Sequence, residues 1–322
     1  MCVFLTDDQS IVRLDRDWNA YRKDQQPIGP PISEVPTVYV NANYVKACGY
    51  DVLGQAAVAP KKSLPAYIAT QGPLTHTEAD FLYMVHQQHS PAVIMLCNNE
   101  EGGKAKCAQY WPTAVDVPEE KRSQTRTVTV TLSEANSSPF MVTRVLTVQP
   151  EGKSMSWTFT QLHFLGWSGH VLPSNEEFYQ FLQAYNRLRN EKPLSNAFGP
   201  TIVHCSAGVG RTGTLICADM LLNQLRKKPS QIDVSGTILA SRVFRRNLVQ
   251  TEDLHRGCFS LLAFHPRLRT GMGMVVMLEQ SLDEFAILRL NRTCLQDSVA
   301  TVPVSCGSPS FLNTFTTGSS GK

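Results

Sequence analysis

The chain has 322 residues, of which 18% are charged, and a formal net charge of +3. That length holds one large α/β domain plus a tail, and the charge is too small to argue for a nucleic-acid partner. No run of about 18 apolar residues suggests membrane insertion, and nine scattered cysteines, odd in number and without a CxxC, point to a reducing compartment, expected to be the cytoplasm.

Residues 1–35 are polar, end near GPPISEVP and read as an extended leading segment. Their start, MCVFLTDDQS, has acids where a signal peptide needs apolar residues, and Cys2 in place of Gly argues against myristoylation. Residues 49–65 read as a loop, 78–89 as a helix and 92–97 as a buried strand. Alternation in TRTVTVTLS, MVTRVLTVQ and SWTFTQLHF predicts an antiparallel meander over 125–165. Residues 176–189 place Phe178, Phe181, Leu182 and Tyr185 on one helical face. Residues 275–290 are compatible with a further helix, and 291–322 read as a disordered tail.

The chemistry concentrates in IVHCSAGVGRTGTL, residues 202–215. Thr201, Ile202 and Val203 form a β-branched run that reads as a buried strand, and helical spacing begins at Thr212. Between them, Ser206, Ala207, Gly208, Val209 and Gly210 let the backbone wrap tightly with its N–H groups turned inward. Such a nest, with a helix N-terminus behind it, binds an anion. Arg211 adds a planar fork for two oxygens of one phosphate. Cys205 sits at the mouth of this positive cup, where a thiolate is favoured and faces phosphorus as a nucleophile. A nucleotide P-loop is excluded, because no Lys follows the second glycine.

HCSAGVGRTG resembles the signature loop of the cysteine-dependent protein tyrosine phosphatases. VYVNANYV over 38–45, the long stretch 67–112 and DVSGTILASRVFRRNLVQTED over 233–253 are similar to the same family. The resemblance, which implies the non-receptor type with a single catalytic domain, runs from about residue 18 to 265. The domain is expected over 18–290. It implies a twisted central mixed sheet flanked by helices, with the signature loop between a central strand and a helix. It implies hydrolysis of phosphotyrosine in proteins through a cysteinyl-phosphate on Cys205, with no metal and no cofactor, in signal transduction. Arg211 then binds phosphate, Thr212 hydrogen-bonds the sulfur, and His204 orients the loop. Glu101 pairs with Arg211, Gln250 positions the attacking water, and Arg242 and Arg245 brace the cup. Tyr21 corresponds to the tyrosine lining the substrate pocket, and the 49–65 loop is longer than the family's usual one. Leu254 stands where a second glutamine is common.

One part is absent. The family's mobile loop reads Trp-Pro-Asp, and its Asp protonates the leaving oxygen. Here Trp167 is followed by Ser168, Gly169 and His170, and glycine has no proton to give. A general acid typically contributes 10²–10⁴-fold, so roughly that much rate is at stake. Three readings stay open: a slow enzyme, a substitute acid such as His170, Glu176 or Glu177, or an impaired phosphatase that binds phosphotyrosine. His255 and Cys258 offer a zinc-hydrolase reading with little else behind it.

Overall fold

The β-branched runs pair as their alternation predicts. A computed structural model describes residues 10–14, 18–19, 22, 39–51, 54–60, 62–167, 172–227 and 232–264. Nine strands form the main sheet: β1 (Ile11–Arg13), β2 (Tyr39–Val45), β3 (Tyr67–Gln71), β4 (Ala92–Met95), β5 (Glu119–Arg122), β6 (Thr127–Ser137), β7 (Met141–Pro150), β8 (Trp157–Phe164) and β9 (Thr201–Cys205). Their spatial order is β1-β2-β3-β9-β4-β8-β7-β6-β5. β9 runs parallel to β3 and β4, and β4 runs parallel to β8. The outer pairs are antiparallel, so the sheet is mixed, as expected.

Composition follows this placement. The parallel centre is covered on both faces, so β4 and β9 are buried at every residue. The first half of β6 alternates between buried and half-buried residues, as a strand with one wet face does. The expected meander of 125–165 is present, with β5 added at its edge. β1 falls within the leading polar segment, ahead of residue 18. Its Val12, together with Leu14 and Trp18, is buried, so part of that segment belongs to the core. The 49–65 loop contains a small hairpin, Gly49–Tyr50 with Ala56–Ala57.

Among the described residues, five helices with fixed bounds flank the sheet: α1 (Glu78–Gln87), α2 (Asn175–Glu191), α3 (Gly210–Lys227), α4 (Val234–Arg242) and α5 (Glu252–Phe264). Acidic Glu78 and Asp80 open α1, and Asp233 caps α4 by accepting the Gly236 N–H at 2.7 Å. α3 is buried on almost every face, because it leaves the sheet centre at β9 and is packed by α4 and α5. Among the described residues, no helix is long and apolar enough to cross a membrane. Residues 275–290 and 291–322 lie outside the described residues.

A buried ion pair fixes α3 against α2 and β3. Asp219 is fully buried, accepts the Tyr67 hydroxyl at 2.6 Å and pairs with Arg189, which also reaches Asn186 and Asn223. Removing Arg189 strands a carboxylate in the interior. Arg189→Ala is therefore expected to lower the unfolding free energy by about 3–5 kcal/mol, read as a fall in chemical-denaturation midpoint. Adding Asp219→Asn should recover part of the loss, and an unchanged midpoint in the single variant would remove the pair from the stabilising framework.

Candidate active site

β9 ends at Cys205, at the carboxyl end of the parallel strands, where open α/β sheets place their ligands. The chain then turns through Ser206 to Val209 and enters α3 at Gly210. Three successive carbonyls of the turn face outward. Ser206 O accepts the Gly72 N–H at 3.1 Å, Ala207 O accepts Arg245 Nη2 at 3.2 Å, and Gly208 O accepts Arg245 Nε at 2.8 Å. In a trans peptide the N–H points opposite its carbonyl, so the N–H groups of Ala207, Gly208 and Val209 face the sulfur side. The Gly208 N–H lies 3.3 Å from Cys205 Sγ. Gly208 has φ of +72°, and a Cβ there would meet Thr70 O at 2.1 Å, so only glycine fits.

Arg245 is the brace behind this wall. It is buried, and Asn41 and Asn43 accept its Nη2 and Nη1 at 2.9 and 2.7 Å. Burial pulls its guanidinium down to about 10 while the nearby Cys205 sulfur works the other way, so it stays charged at neutral pH.

Two donors converge on Cys205 Sγ: the Gly208 N–H, and the Thr212 hydroxyl, also at 3.3 Å. Arg211 lies beside them. Its Nη1 and Nη2 hold Glu101 Oε1 and Oε2 at 2.6 and 2.7 Å, a two-point ion pair. Nη1 also reaches Leu96 O at 3.0 Å and Trp167 O at 3.2 Å. Burial opposes the charge of Arg211, but Glu101 outweighs it and the guanidinium is held protonated. Glu101 reaches this place because Glu100–Glu101 and Lys104–Ala105 form a hairpin. Its turn, Gly102-Gly103, has positive φ at both residues, the form that a two-residue hairpin needs.

His204 points away from the cup. Gln161 Nε2 donates to the Tyr110 hydroxyl at 2.7 Å, which leaves the hydroxyl proton for His204 Nε2 at 2.9 Å. His204 Nδ1 then donates to Cys205 O at 3.3 Å. Arg144 Nη1 donates to Gln161 Oε1 at 2.7 Å and closes the chain. Burial drives the His204 pKa down to about 3, so it is neutral and orients the strand end. Tyr110, Gln161 and Arg144 carry no spacing signal, and sequence reading gave them no role.

Gln250 is exposed and stands over the start of α3, with Oε1 3.7 Å from where a Cβ on Gly210 would lie. The Leu254 side chain occupies the adjoining space, 3.0 Å from the same point. Val249, just before Gln250, has φ of +57°, a conformation costing about 1–3 kcal/mol for a β-branched residue. Arg242, expected behind the cup, turns instead to this segment and donates to Leu248 O and Val249 O, both at 2.8 Å.

Trp167 is buried against Phe178, and Leu172 packs on Gly257. Both flanks of the Trp-Ser-Gly loop are thus fixed, while Ser168, Gly169 and His170 lie outside the described residues, as does Tyr21. Glu177 Oε2 lies close to Gly166, at the loop's near end. His255 is buried, meets the Phe259 ring edge-to-face and Ser235 Oγ at 3.3 Å, and Cys258 is fully buried.

A family model described as protein-tyrosine phosphatase matches residues 4–263. A Lar-like tyrosine-protein phosphatase of Caenorhabditis elegans is 35% identical over 215 residues, covering 67% of this chain and 9% of that protein. Receptor-type tyrosine-protein phosphatase F of Homo sapiens is 34% identical over 216 residues, 67% of this chain and 10% of that protein. Tyrosine-protein phosphatase non-receptor type 20 of Rattus norvegicus is 29% identical over 224 residues, 70% of this chain and 48% of that protein. The chain therefore spans about a tenth of the receptor-type relatives and about half of the non-receptor one.

Three buried histidines make acid stability measurable. Burial is the main cause in each: it lowers His204 to about 3, and His163 and His255 to about 4, from 6.5. The folded state keeps them neutral, whereas the unfolded chain binds protons below about 6.5. Their contribution is complete above that pH and is lost as pH falls toward 4. The thermal midpoint is expected to drop between pH 7 and 5, before ordinary carboxylates titrate. A flat midpoint across that window would contradict neutral burial of these rings.

Proposed function

Because the chain belongs to the protein-tyrosine phosphatase family, we propose that it hydrolyses phosphotyrosine in proteins through a phosphocysteine on Cys205. The observation that carries this reading is the convergence of Gly208 N–H and Thr212 Oγ1 on Cys205 Sγ, beside a guanidinium held by Glu101. Phosphate enters the cup against the inward N–H groups of residues 207–209 and against Arg211. The sulfur attacks phosphorus, the P–O bond breaks and the tyrosine oxygen leaves. Thr212 supports the sulfur as it becomes the leaving group when water, directed by Gln250, releases phosphate. Residues 206–211 bind phosphate, His204 and Arg245 fix the loop, and Tyr21 lines the pocket. The chemistry uses no metal or cofactor, and a reducing compartment such as the cytoplasm keeps the thiol available.

Gly169 sets the rate. Tyrosine, with a pKa of about 10, leaves poorly without a proton donor, whereas an activated aryl phosphate releases a stable phenolate. The enzyme is thus expected to be selective for good leaving groups and slow on peptides. The protein should turn over the activated substrate much faster than a phosphotyrosine peptide. Cys205→Ser should abolish both activities and keep phosphate-mimic binding. Activity surviving that substitution, or lost on adding a chelator, would exclude the mechanism. Tight phosphopeptide binding with no turnover of either substrate would instead establish a phosphotyrosine-binding module.

Restoring the acid tests Gly169 directly. Gly169→Asp is expected to raise peptide turnover by a factor on the order of 10² and to leave the activated substrate little changed. If His170 already serves as the acid, His170→Ala will cripple peptide hydrolysis alone and Gly169→Asp will add little.

A further inference from the structure

Gln250 follows a stretch of backbone that does not hold itself in place. Asn247 and Val249 both have positive φ, 61° and 57°. Asparagine tolerates that region, but valine, branched at Cβ, does not, so neighbouring groups must hold it there. Three hydrogen bonds do so. The Val249 N–H donates to Val209 O at 3.2 Å, next to the cup. Gly213 permits the approach, since a Cβ on it would lie 2.4 Å from Val249 N. Arg242, the last residue of α4, donates from Nε to Leu248 O and from Nη2 to Val249 O, both at 2.8 Å. The Val249 carbonyl belongs to the peptide unit that ends at the Gln250 nitrogen. Fixing that carbonyl fixes the plane from which the Gln250 side chain departs. Gln250 has no neighbouring amide at position 254 to share its work, because the side chain there is leucine, packed toward Gly210.

We propose that Arg242 is a positioning residue for the second half of the reaction. It clamps two successive carbonyls and so holds Gln250 where its amide can direct water onto phosphocysteine. The inference rests on the phosphatase reading. In this step the water oxygen bonds to phosphorus, and the P–S bond breaks with its electron pair returning to Cys205. Both water protons remain on the product, so phosphocysteine dianion and water give thiolate and dihydrogen phosphate. Forming phosphocysteine uses no water, so Arg242 has no part in the first step.

The test is rapid-mixing kinetics on the full chain with an activated aryl phosphate, comparing Arg242→Ala, Arg242→Lys and Gln250→Ala with the unsubstituted protein. Lysine keeps the charge and loses the two-point fork, and it carries the test if the alanine variant does not fold. The expected result is an unchanged initial burst of phenolate. Steady-state turnover should fall about 10- to 100-fold, as for a misplaced group, with phosphocysteine on Cys205 accumulating by intact mass. Gln250→Ala should show the same split. Burst and steady state falling in parallel, or a steady state that does not change, would overturn the role of Arg242 and leave the phosphatase reading standing. Failure of the unsubstituted protein to form phosphocysteine would overturn both.

Discussion

The site depends on a partly buried ion pair between Glu101 and Arg211. A guanidinium on the first turn of a helix has many rotamers, and a phosphate needs one plane. Two near-parallel hydrogen bonds from one carboxylate select that plane before any ligand arrives. The pair also gathers three separate parts of the chain. The Gly-Gly hairpin delivers the carboxylate, the end of β4 delivers the Leu96 carbonyl, and the near flank of the Trp-Ser-Gly loop delivers the Trp167 carbonyl. Arg211 therefore links the cup to the segment that carries Gly169.

The site divides by task. Every described group that would hold phosphate or sulfur is in place: inward N–H groups, Arg211, Thr212, and Arg245 behind them. Gly169 and Leu254, two of the positions that differ from the family pattern, both concern protons and water under the proposed reading. On that reading the groups for charge stabilisation are retained while those for proton delivery and solvent handling are thinned. These functions rest on different elements, the β9–α3 turn for the first and two flanking segments for the second. One can be altered without disturbing the other, because Trp167 and Leu172 keep the loop's ends packed whatever lies between them.

Much of this was legible in the sequence, for identifiable reasons. The cup is local: ten consecutive residues, HCSAGVGRTG, carry strand end, nest and helix start, so spacing alone predicts it. The antiparallel half of the sheet was legible because β6, β7 and β8 are half-exposed and alternate. β3, YIATQ, was not read as a strand because it shows neither an alternating pattern nor an unbroken β-branched run. β1 was hidden because three residues in a polar context give no period. The chain from Arg144 through Gln161 and Tyr110 to His204 joins residues up to 94 positions apart and leaves no local trace. The partners of Arg242 could not be inferred either, since they are backbone carbonyls, which every residue possesses.

Behind Arg245, Asn43 donates through Nδ2 to Ser10 Oγ at 2.8 Å, and the Tyr44 N–H donates to Ser10 O at 2.7 Å. Ser10 directly precedes β1, which pairs with β2, and it lies inside the stretch that the family model matches, residues 4–263. Ser10 is thus three hydrogen bonds from the wall of the cup, through Asn43 and Arg245. Any proteolytic trimming or alternative start that removes residues up to the middle of that strand reaches the phosphate site without touching a residue that lines it.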